Sequence, residues 1–324
     1  MLAQLVIYTL SFIGIWIGSG FAIRSIENIS KTIKVSSFLV SFLILGLFTS
    51  VGEFSVGINS VLSNDPEIYV GNLIGASIVL FLLIIPLLAI FGNSIRINQE
   101  LQGFNLLASA IVVGMPVILA MDGRVDKVDS FISIISYLIL VIVIQSKKPL
   151  AEKIKDIDTT KSIKLGREIL KILVGIVIIF IASKFVVEQT LFFSEVLGVS
   201  PFLLSVLLIA IGTNIPELSL VVRSLFIKNN QIAFGDYVGS AAFNTFLFGI
   251  LTLIYGKPVI LINSYLVSLV FSIFGLILFY HFARSKQTLS KVEGLILLLT
   301  YGLFLFTEIT IHDGFALNLQ LPLK

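Results

Sequence analysis

Apolar stretches long enough to cross a bilayer alternate with short polar connections along the whole chain. A transmembrane helix needs about 20 mostly apolar residues, and a window of that length selects ten segments. The pattern therefore predicts an all-α integral membrane protein with ten transmembrane helices. The segments cover approximately residues 4–23, 36–61, 68–91, 104–122, 128–145, 168–191, 200–227, 232–255, 258–282 and 293–311.

Composition supports this prediction and excludes several functions. The 324 residues are 57% hydrophobic and 13% charged, with a mean hydropathy of +1.06, which is more apolar surface than a soluble domain of this length can bury. Cysteine is absent, and His281 and His312 are too few and too far apart for a histidine metal site. The net charge of +3 forms no basic face for a nucleic acid. We expect neither a cofactor nor a nucleic-acid partner.

The chain carries one element twice, at an offset of 164 residues. Phe48–Glu53 reads Phe-Thr-Ser-Val-Gly-Glu, and Gly212–Glu217 reads Gly-Thr-Asn-Ile-Pro-Glu. Coincidence of polar residues and glycine at one offset indicates an internal repeat. The same offset pairs Ser55 with Ser219, Ser60 with Ser224, Gly71 with Gly235, Gly75 with Gly239 and Gly92 with Gly256. We therefore divide the chain into a first five-helix repeat at 1–146, a cytoplasmic linker at 147–167 and a second five-helix repeat at 168–324.

Basic residues predict the orientation of the helices. They concentrate in alternate connections: Arg24, Lys31 and Lys34; Arg96; the group from Lys147 to Arg167; Arg223 and Lys228; and Arg284, Lys286 and Lys291. The positive-inside rule makes these connections cytoplasmic, with both termini outside, most naturally in a cell membrane. Two related halves of five helices must then have opposite topology. This is the inverted-repeat plan of secondary transporters, with a binding site near the midplane of the bilayer.

Glu53 and Glu217 lie within their apolar segments, where an ionisable side chain normally faces a cavity, a partner or an ion. Thr49 and Thr213 stand four positions earlier, so a continuous helix would place each pair on one face. Pro216 cannot donate a helical hydrogen bond, which loosens the helix and frees a backbone carbonyl. The structural alternative is a pair of hydrogen-bonding glutamates at a helix contact, with an ordinary proline kink.

Small residues spaced four apart follow each glutamate, at Gly71 and Gly75 and again at Gly235 and Gly239. They allow close helix packing, which would bring Ser77, Ser240 and Asn244 towards the glutamate helices. The available donors are oxygen atoms without sulfur or imidazole, and this set suits a hard cation such as Ca²⁺. The predicted ion ligands are Glu53, Glu217, Thr49, Thr213, Ser50, Asn214, Ser240 and Asn244, with freed backbone carbonyls.

The two motifs resemble the α-repeats of the cation/calcium exchanger superfamily, and within it the sodium/calcium exchangers. Those repeats carry a Gly-Thr-Ser-x-Pro-Glu type motif followed by a Gly-Asn-x-x-Gly-Ser-Asn type helix, matched here best by Gly212–Glu217 and by Gly71–Gly75. The resemblance implies a ten-helix inverted fold and exchange of Ca²⁺ for Na⁺ by alternating access, without an enzymatic step. It also implies that Glu53 and Glu217 bind calcium and share their site with sodium. Hydroxyl and backbone ligands would come from Thr49, Ser50, Thr213 and Ser240.

This chain departs from the family pattern at several positions: Gly52 replaces proline, Asn214 and Ala76 replace serine, Leu80 replaces a polar residue, and Asn244 replaces aspartate. Two carboxylates then give the site a formal charge of about −2, which one Ca²⁺ or two Na⁺ would neutralise. We therefore expect sodium-driven exchange with fewer than three sodium ions per calcium.

Other functions are compatible with the same residues. A buried glutamate can itself carry a proton, which would give a calcium/proton exchanger. A membrane protein that binds a cation without transporting it is a second alternative. An intramembrane enzyme is a third, although the sequence contains no recognisable nucleophile and base pair, histidine cluster or nucleotide motif.

Overall fold

The computed structural model describes residues 1–30, 42, 46–97, 99–145, 165–227, 230–261 and 265–311. These residues are almost entirely helical, as the apolar pattern predicts. The predicted linker at 147–167 lies outside them, apart from its last three residues. The helices are α1 Leu2–Ser30, α2 Gly46–Thr49, α3 Val51–Leu62, α4 Glu67–Val79, α5 Ile85–Phe91, α6 Phe104–Leu119, α7 Lys127–Gln145, α8 Leu165–Leu197, α9 Pro201–Leu204, α10 Ala210–Thr213, α11 Ile215–Ile227, α12 Asn230–Tyr255, α13 Tyr265–Lys286 and α14 Lys291–Ile311.

Two short π-helical segments each connect one helix to the next. Leu80–Ile84 joins α4 to α5, and Ser205–Ile209 joins α9 to α10. A π turn widens the helix by one residue and frequently occurs near functional sites. Here the second turn leads directly into the motif that contains Glu217.

Two pairs of very short antiparallel strands connect the two halves of the chain. They are β1 Ile95–Arg96 with β4 Thr288–Leu289, and β2 Arg124–Val125 with β3 Val259–Ile260. The β3 strand explains one wrong boundary. The sequence predicts that the ninth segment begins near residue 258, whereas α13 begins at Tyr265, because Val259 and Ile260 form backbone hydrogen bonds with β2 instead.

Eight helical segments within the described ranges are long and apolar enough to cross a membrane. The helix α6 is apolar but shorter, and the second predicted segment, 36–61, lies partly outside the described residues. The chain is therefore an all-helical, multi-pass integral membrane protein.

Burial separates inner helices from outer ones. Within the most apolar 18-residue stretch of each segment, 83% of the residues are buried in Glu67–Phe91 and 78% in Ala233–Tyr255. The corresponding fraction is 28% in α1, α7 and α8. The exposed residues of the outer helices are largely apolar, as lipid-facing surfaces require. Thus α4 and α12, which follow the two glutamate helices, form the interior of the bundle.

The two repeats pack against each other reciprocally through the predicted small residues. A Cβ on Gly75 would lie 2.7 Å from Val206 Cα, and one on Gly239 would collide with the Phe42 carbonyl oxygen. The offset that converts Gly75 into Gly239 also converts Phe42 into Val206. Each inner helix therefore contacts the segment before the motif of the other repeat, and the prediction of close packing at these glycines is confirmed.

Candidate ion-binding site

Both motif helices are interrupted at equivalent positions. Ser50 separates α2 from α3 with φ −77° and ψ 8°, and Asn214 separates α10 from α11 with φ −89° and ψ 10°. The interruption expected near Pro216 is thus present, and the first repeat has it without a proline. The expectation that Thr49 and Glu53 share one face of a continuous helix is wrong, because the break falls between them.

The interruptions place helix ends beside the candidate ligands. Glu53 lies in the first turn of α3 and Glu217 in the first turn of α11. A helix N-terminus carries partial positive charge, which stabilises a carboxylate there. The helices α2 and α10 end at Thr49 and Thr213, and a helix C-terminus carries partial negative charge, which attracts cations.

In the first repeat, one backbone carbonyl accepts three hydrogen bonds that stabilise the helix interruption. The Gly46 oxygen accepts hydrogen bonds from Ser50 N at 3.3 Å, from Thr49 Oγ1 at 3.2 Å and from Ser50 Oγ at 2.9 Å. A hydroxyl oxygen that donates its proton keeps lone pairs that can bind a cation. These hydrogen bonds therefore orient the Thr49 and Ser50 hydroxyls and leave their oxygen lone pairs able to bind a cation.

The second repeat has the same arrangement around Ala210. Its carbonyl accepts from Asn214 N at 3.3 Å, from Thr213 Oγ1 at 3.4 Å and from Asn214 Nδ2 at 2.7 Å. The last bond commits the amide nitrogen and leaves Asn214 Oδ1 without a hydrogen-bond partner among the described residues. An amide oxygen presented in this way is a suitable ligand for a hard cation.

The predicted residues of the two repeats meet across the molecule. Ser50 Oγ lies 2.9 Å from Ser240 Oγ, and Ser240 Oγ donates to Glu217 Oε1 at 3.5 Å. The Tyr237 hydroxyl donates to the backbone carbonyl of Glu217 at 3.1 Å and so fixes the start of α11. The structure brings the first-repeat break and the second-repeat carboxylate into one polar cluster.

Several buried polar atoms of the predicted ligands have no hydrogen-bond partner within the described part of the chain. They are both carboxylate oxygens of Glu53, Oε2 of Glu217, Oδ1 of Asn214, and both amide atoms of Asn244. All four side chains are at most 1% exposed. Unpartnered buried oxygens are costly and rare, and a group of them makes this region the candidate site for a cation.

No three acidic or histidine side chains in the described ranges converge closely enough to hold a metal ion by themselves. Hydroxyl, amide and backbone oxygens must therefore supply most of the coordination. The ligand set predicted from the sequence, which combines carboxylate, hydroxyl, amide and carbonyl oxygens, stays a prediction.

Two further polar residues belong to the cluster and were missed in the sequence. The Thr49 hydroxyl lies 3.4 Å from Asp236 Oδ1, and the Thr213 hydroxyl lies 3.3 Å from Asn72 Oδ1. The repeat in the sequence could have identified them, because the offset of 164 residues that relates the two threonines also relates Asn72 to Asp236. The formal charge of −2 predicted from two glutamates did not include Asp236.

One other sequence expectation is not met. The close packing of the small residues was expected to bring Ser77 towards the glutamate helices. Ser77 instead borders a small space beside Val113 and Ser272, between α4, α6 and α13, and its hydroxyl donates to the Leu73 carbonyl oxygen at 3.3 Å.

Comparisons with known proteins agree with this architecture. The sodium/calcium exchanger MaX1 of Methanosarcina acetivorans is 22% identical over 327 residues, covering 89% of this chain and 93% of MaX1. The inner membrane protein YrbG of Escherichia coli is 23% identical over 226 residues, covering 66% of this chain and 68% of YrbG. A structure of the sodium-calcium exchanger NCX_Mj, soaked with 10 mM Na⁺ and 10 mM Sr²⁺, has the same fold. It matches with a TM-score of 0.68 and 19% identity over 94% of this chain and 97% of NCX_Mj.

The family model described as sodium/calcium exchanger protein matches residues 3–145 and 168–310, which include both motif helices and both inner helices. Since these two matches together account for most of the chain, the protein belongs to the sodium/calcium exchanger family.

Proposed function

We propose that this protein is a secondary active antiporter that exchanges Ca²⁺ for Na⁺ across the cell membrane. The observation that carries the proposal is the group of buried, unpartnered oxygens at the two helix breaks. They lie on side chains from both repeats, so a bound ion would join the two halves. The ions are the cargo, and neither a cofactor nor a chemical step is required.

The ligand set favours calcium as the divalent ion. Ca²⁺ takes 6 to 8 oxygen ligands in flexible geometry, and the proposed ligands supply carboxylate, hydroxyl, amide and carbonyl oxygens. They are Glu53, Glu217, Thr49, Thr213, Ser50, Asn214, Ser240 and Asn244. The support for sodium as the exchanged ion comes from the relatives. MaX1 is a sodium/calcium exchanger, and the NCX_Mj structure was soaked with Na⁺ and Sr²⁺.

The proposed topology is ten transmembrane helices in two inverted repeats, with both termini outside. The alternation of basic connections supports the orientation. The reciprocal contacts of Gly75 and Gly239 support a two-fold relation between the repeats. We divide the chain at the linker 147–167, with the first repeat at 1–146 and the second at 168–324.

Alternating access requires a route to the site from each side. A cleft of about 400 Å³ lies between α1 and α11 and is lined by Trp16, Arg24, Pro216 and Ser219, among others. Trp16 Nε1 donates to Ser219 Oγ at 3.1 Å across it. Because Pro216 precedes Glu217, relative movement of α1 and α11 at this cleft would open the site to the side on which Arg24 lies.

Exchange of calcium for protons is the second candidate, because the same carboxylates could carry protons as the counter-ion. Purified protein in liposomes distinguishes the two. We expect radiolabelled calcium uptake when an outward sodium gradient is the only driving force, and no uptake with an outward proton gradient alone. Uptake driven by protons alone would replace sodium in the proposal. Calcium binding without uptake under either gradient would show a cation-binding protein that does not transport.

A further inference from the structure

Two equivalent hydrogen-bonded groups cross the interface between the repeats. Thr49 of the first repeat lies between Asp236 and Glu217 of the second, within 3.4 Å of Asp236 Oδ1 and beside the Glu217 carboxylate. Thr213 of the second repeat lies 3.3 Å from Asn72 Oδ1 of the first and beside the Glu53 carboxylate. The geometry is symmetric, but the charge is not, because Asp236 is an acid where Asn72 is an amide.

The hydrogen bond to threonine does not explain this difference. Asn72 accepts a hydrogen bond from Thr213 with a neutral amide oxygen, so an amide at 236 could serve Thr49 equally well. Asp236 is fully buried in α12, and its carboxylate lies close enough to act electrostatically on Glu217, as does that of Glu53. A third buried carboxylate near two others adds negative charge at short range and so strengthens the attraction of this region for cations.

The neighbouring atoms indicate where a cation would bind. Both carboxylate oxygens of Glu53, together with Oε2 of Glu217, lack hydrogen-bond partners in the described structure. These glutamates lie directly beyond the two threonines, so a cation bound by them is also next to the Asp236 and Thr49 pair. Asp236 therefore acts on the ion through Thr49 and through its charge, not as a third member of a compact carboxylate cage.

We infer that Asp236 is a positioning and charge-setting residue of the ion site, which determines how many sodium ions are exchanged for each calcium ion. The inference rests on the proposed sodium/calcium exchange. Calcium can still bind when this charge is removed, because Glu53 and Glu217 remain. Without the charge of Asp236, however, the sodium-loaded site needs one Na⁺ fewer to reach the same net charge.

The chain offers its own matched substitution. Asp236→Asn installs the residue that already stands at the equivalent position, 72, and keeps the hydrogen-bond acceptor for Thr49. The double variant Asn72→Asp with Asp236→Asn moves the charge to the symmetry-related position and keeps the total unchanged. A purely local structural role of Asp236 predicts no rescue by the second change.

The experiment measures the calcium gradient at which net flux stops, in liposomes that contain the full chain, at several sodium gradients and clamped potentials. The dependence on the sodium gradient gives the number of sodium ions per calcium, and the dependence on potential gives the charge moved. We expect Asp236→Asn to lower the number of sodium ions exchanged per calcium ion by one. The double variant should restore the wild-type number. If Asp236→Asn gives no flux, the double variant must restore flux with the wild-type dependence.

Wild-type protein without sodium-driven calcium flux would refute the proposed function itself. A working exchanger in which Asp236→Asn leaves the sodium number unchanged would overturn only the role of Asp236. Failure of the double variant to restore the wild-type value would also overturn it.

Discussion

Ser50 Oγ and Ser240 Oγ lie 2.9 Å apart, although 190 positions separate the two residues in the chain. Ser50 occupies the helix break of the first repeat, and Ser240 contacts the carboxylate of Glu217. One hydroxyl pair thus connects the backbone distortion of one repeat to the charged group of the other. Any movement between the repeats must change this contact, which makes it a sensitive point in an alternating-access cycle.

Removing either serine hydroxyl should weaken calcium binding without abolishing it. A hydrogen bond contributes about 1 kcal/mol, so we expect roughly a threefold to tenfold loss of affinity for Ser50→Ala or Ser240→Ala. Because the two hydroxyls share one contact, the double variant should lose less than the sum of the single losses. Calcium-binding isotherms of the purified variants measure this. Ser136→Ala, which removes a hydroxyl bonded only within α7, is the control.

Glu53→Gln and Glu217→Gln should each abolish calcium transport while the protein still inserts and folds. Each change removes one negative charge from the site and keeps the side-chain volume, so binding should suffer far more than stability. Calcium flux and the elution profile in detergent report the two effects separately. Glu188→Gln on the exposed face of α8 should transport like the wild type. Normal flux in both site variants would mean that the glutamates are structural.

Acid should inhibit calcium binding competitively. The two glutamates bind calcium, and Asp236 attracts it, only in their charged forms, so protonation at lower pH removes the attraction, and affinity should fall as pH falls. A higher calcium concentration should overcome the inhibition, because calcium and protons compete for the same oxygens. Calcium titrations at a series of pH values measure it. Inhibition of the same depth at all calcium concentrations would place the titrating group outside the ion site.

The contact between Gly75 and the second repeat should tolerate no side chain. A Cβ there would lie 2.7 Å from Val206 Cα, which is backbone and cannot move aside. We expect Gly75→Leu to destabilise the fold by about 1–3 kcal/mol or more, because an overpacked interface must separate. Thermal unfolding in detergent measures the loss. Gly302→Leu, where no atom lies within 4 Å of an added Cβ, should unfold close to the wild-type temperature.

The orientation can be tested with single cysteines, because the natural chain contains none. A membrane-impermeant thiol reagent added outside intact cells should label Asp65→Cys and should not label Lys155→Cys. The reason is the concentration of basic residues in the connection 147–167, which the positive-inside rule makes cytoplasmic. Labelling of both variants from the same side would contradict the inverted topology.

The membrane class, the repeat and the two glutamates could be recognised from the sequence alone. Apolar segments of membrane-spanning length and polar residues recurring at one offset are properties of the linear chain. An oxygen-only ligand set also follows from residue types, since the chain has no cysteine and only two histidines. These features depend on composition and spacing, so they needed no knowledge of how the helices pack.

The tertiary structure decided which polar residues meet. Thr49 and Asp236 are separated by 187 positions and Thr213 and Asn72 by 141, so no local spacing predicts their contacts. Packing of the small residues brings α4 and α12 against the opposite repeat, which includes Asp236 in the polar cluster and directs Ser77 away from it. The break at Ser50 is likewise not forced by the local sequence, because Gly52 only permits a distortion there and the Ser50 hydroxyl is held by contacts with Gly46 and Ser240. Local sequence determined the candidate ligands, whereas contacts across the repeats determined their geometry and charge.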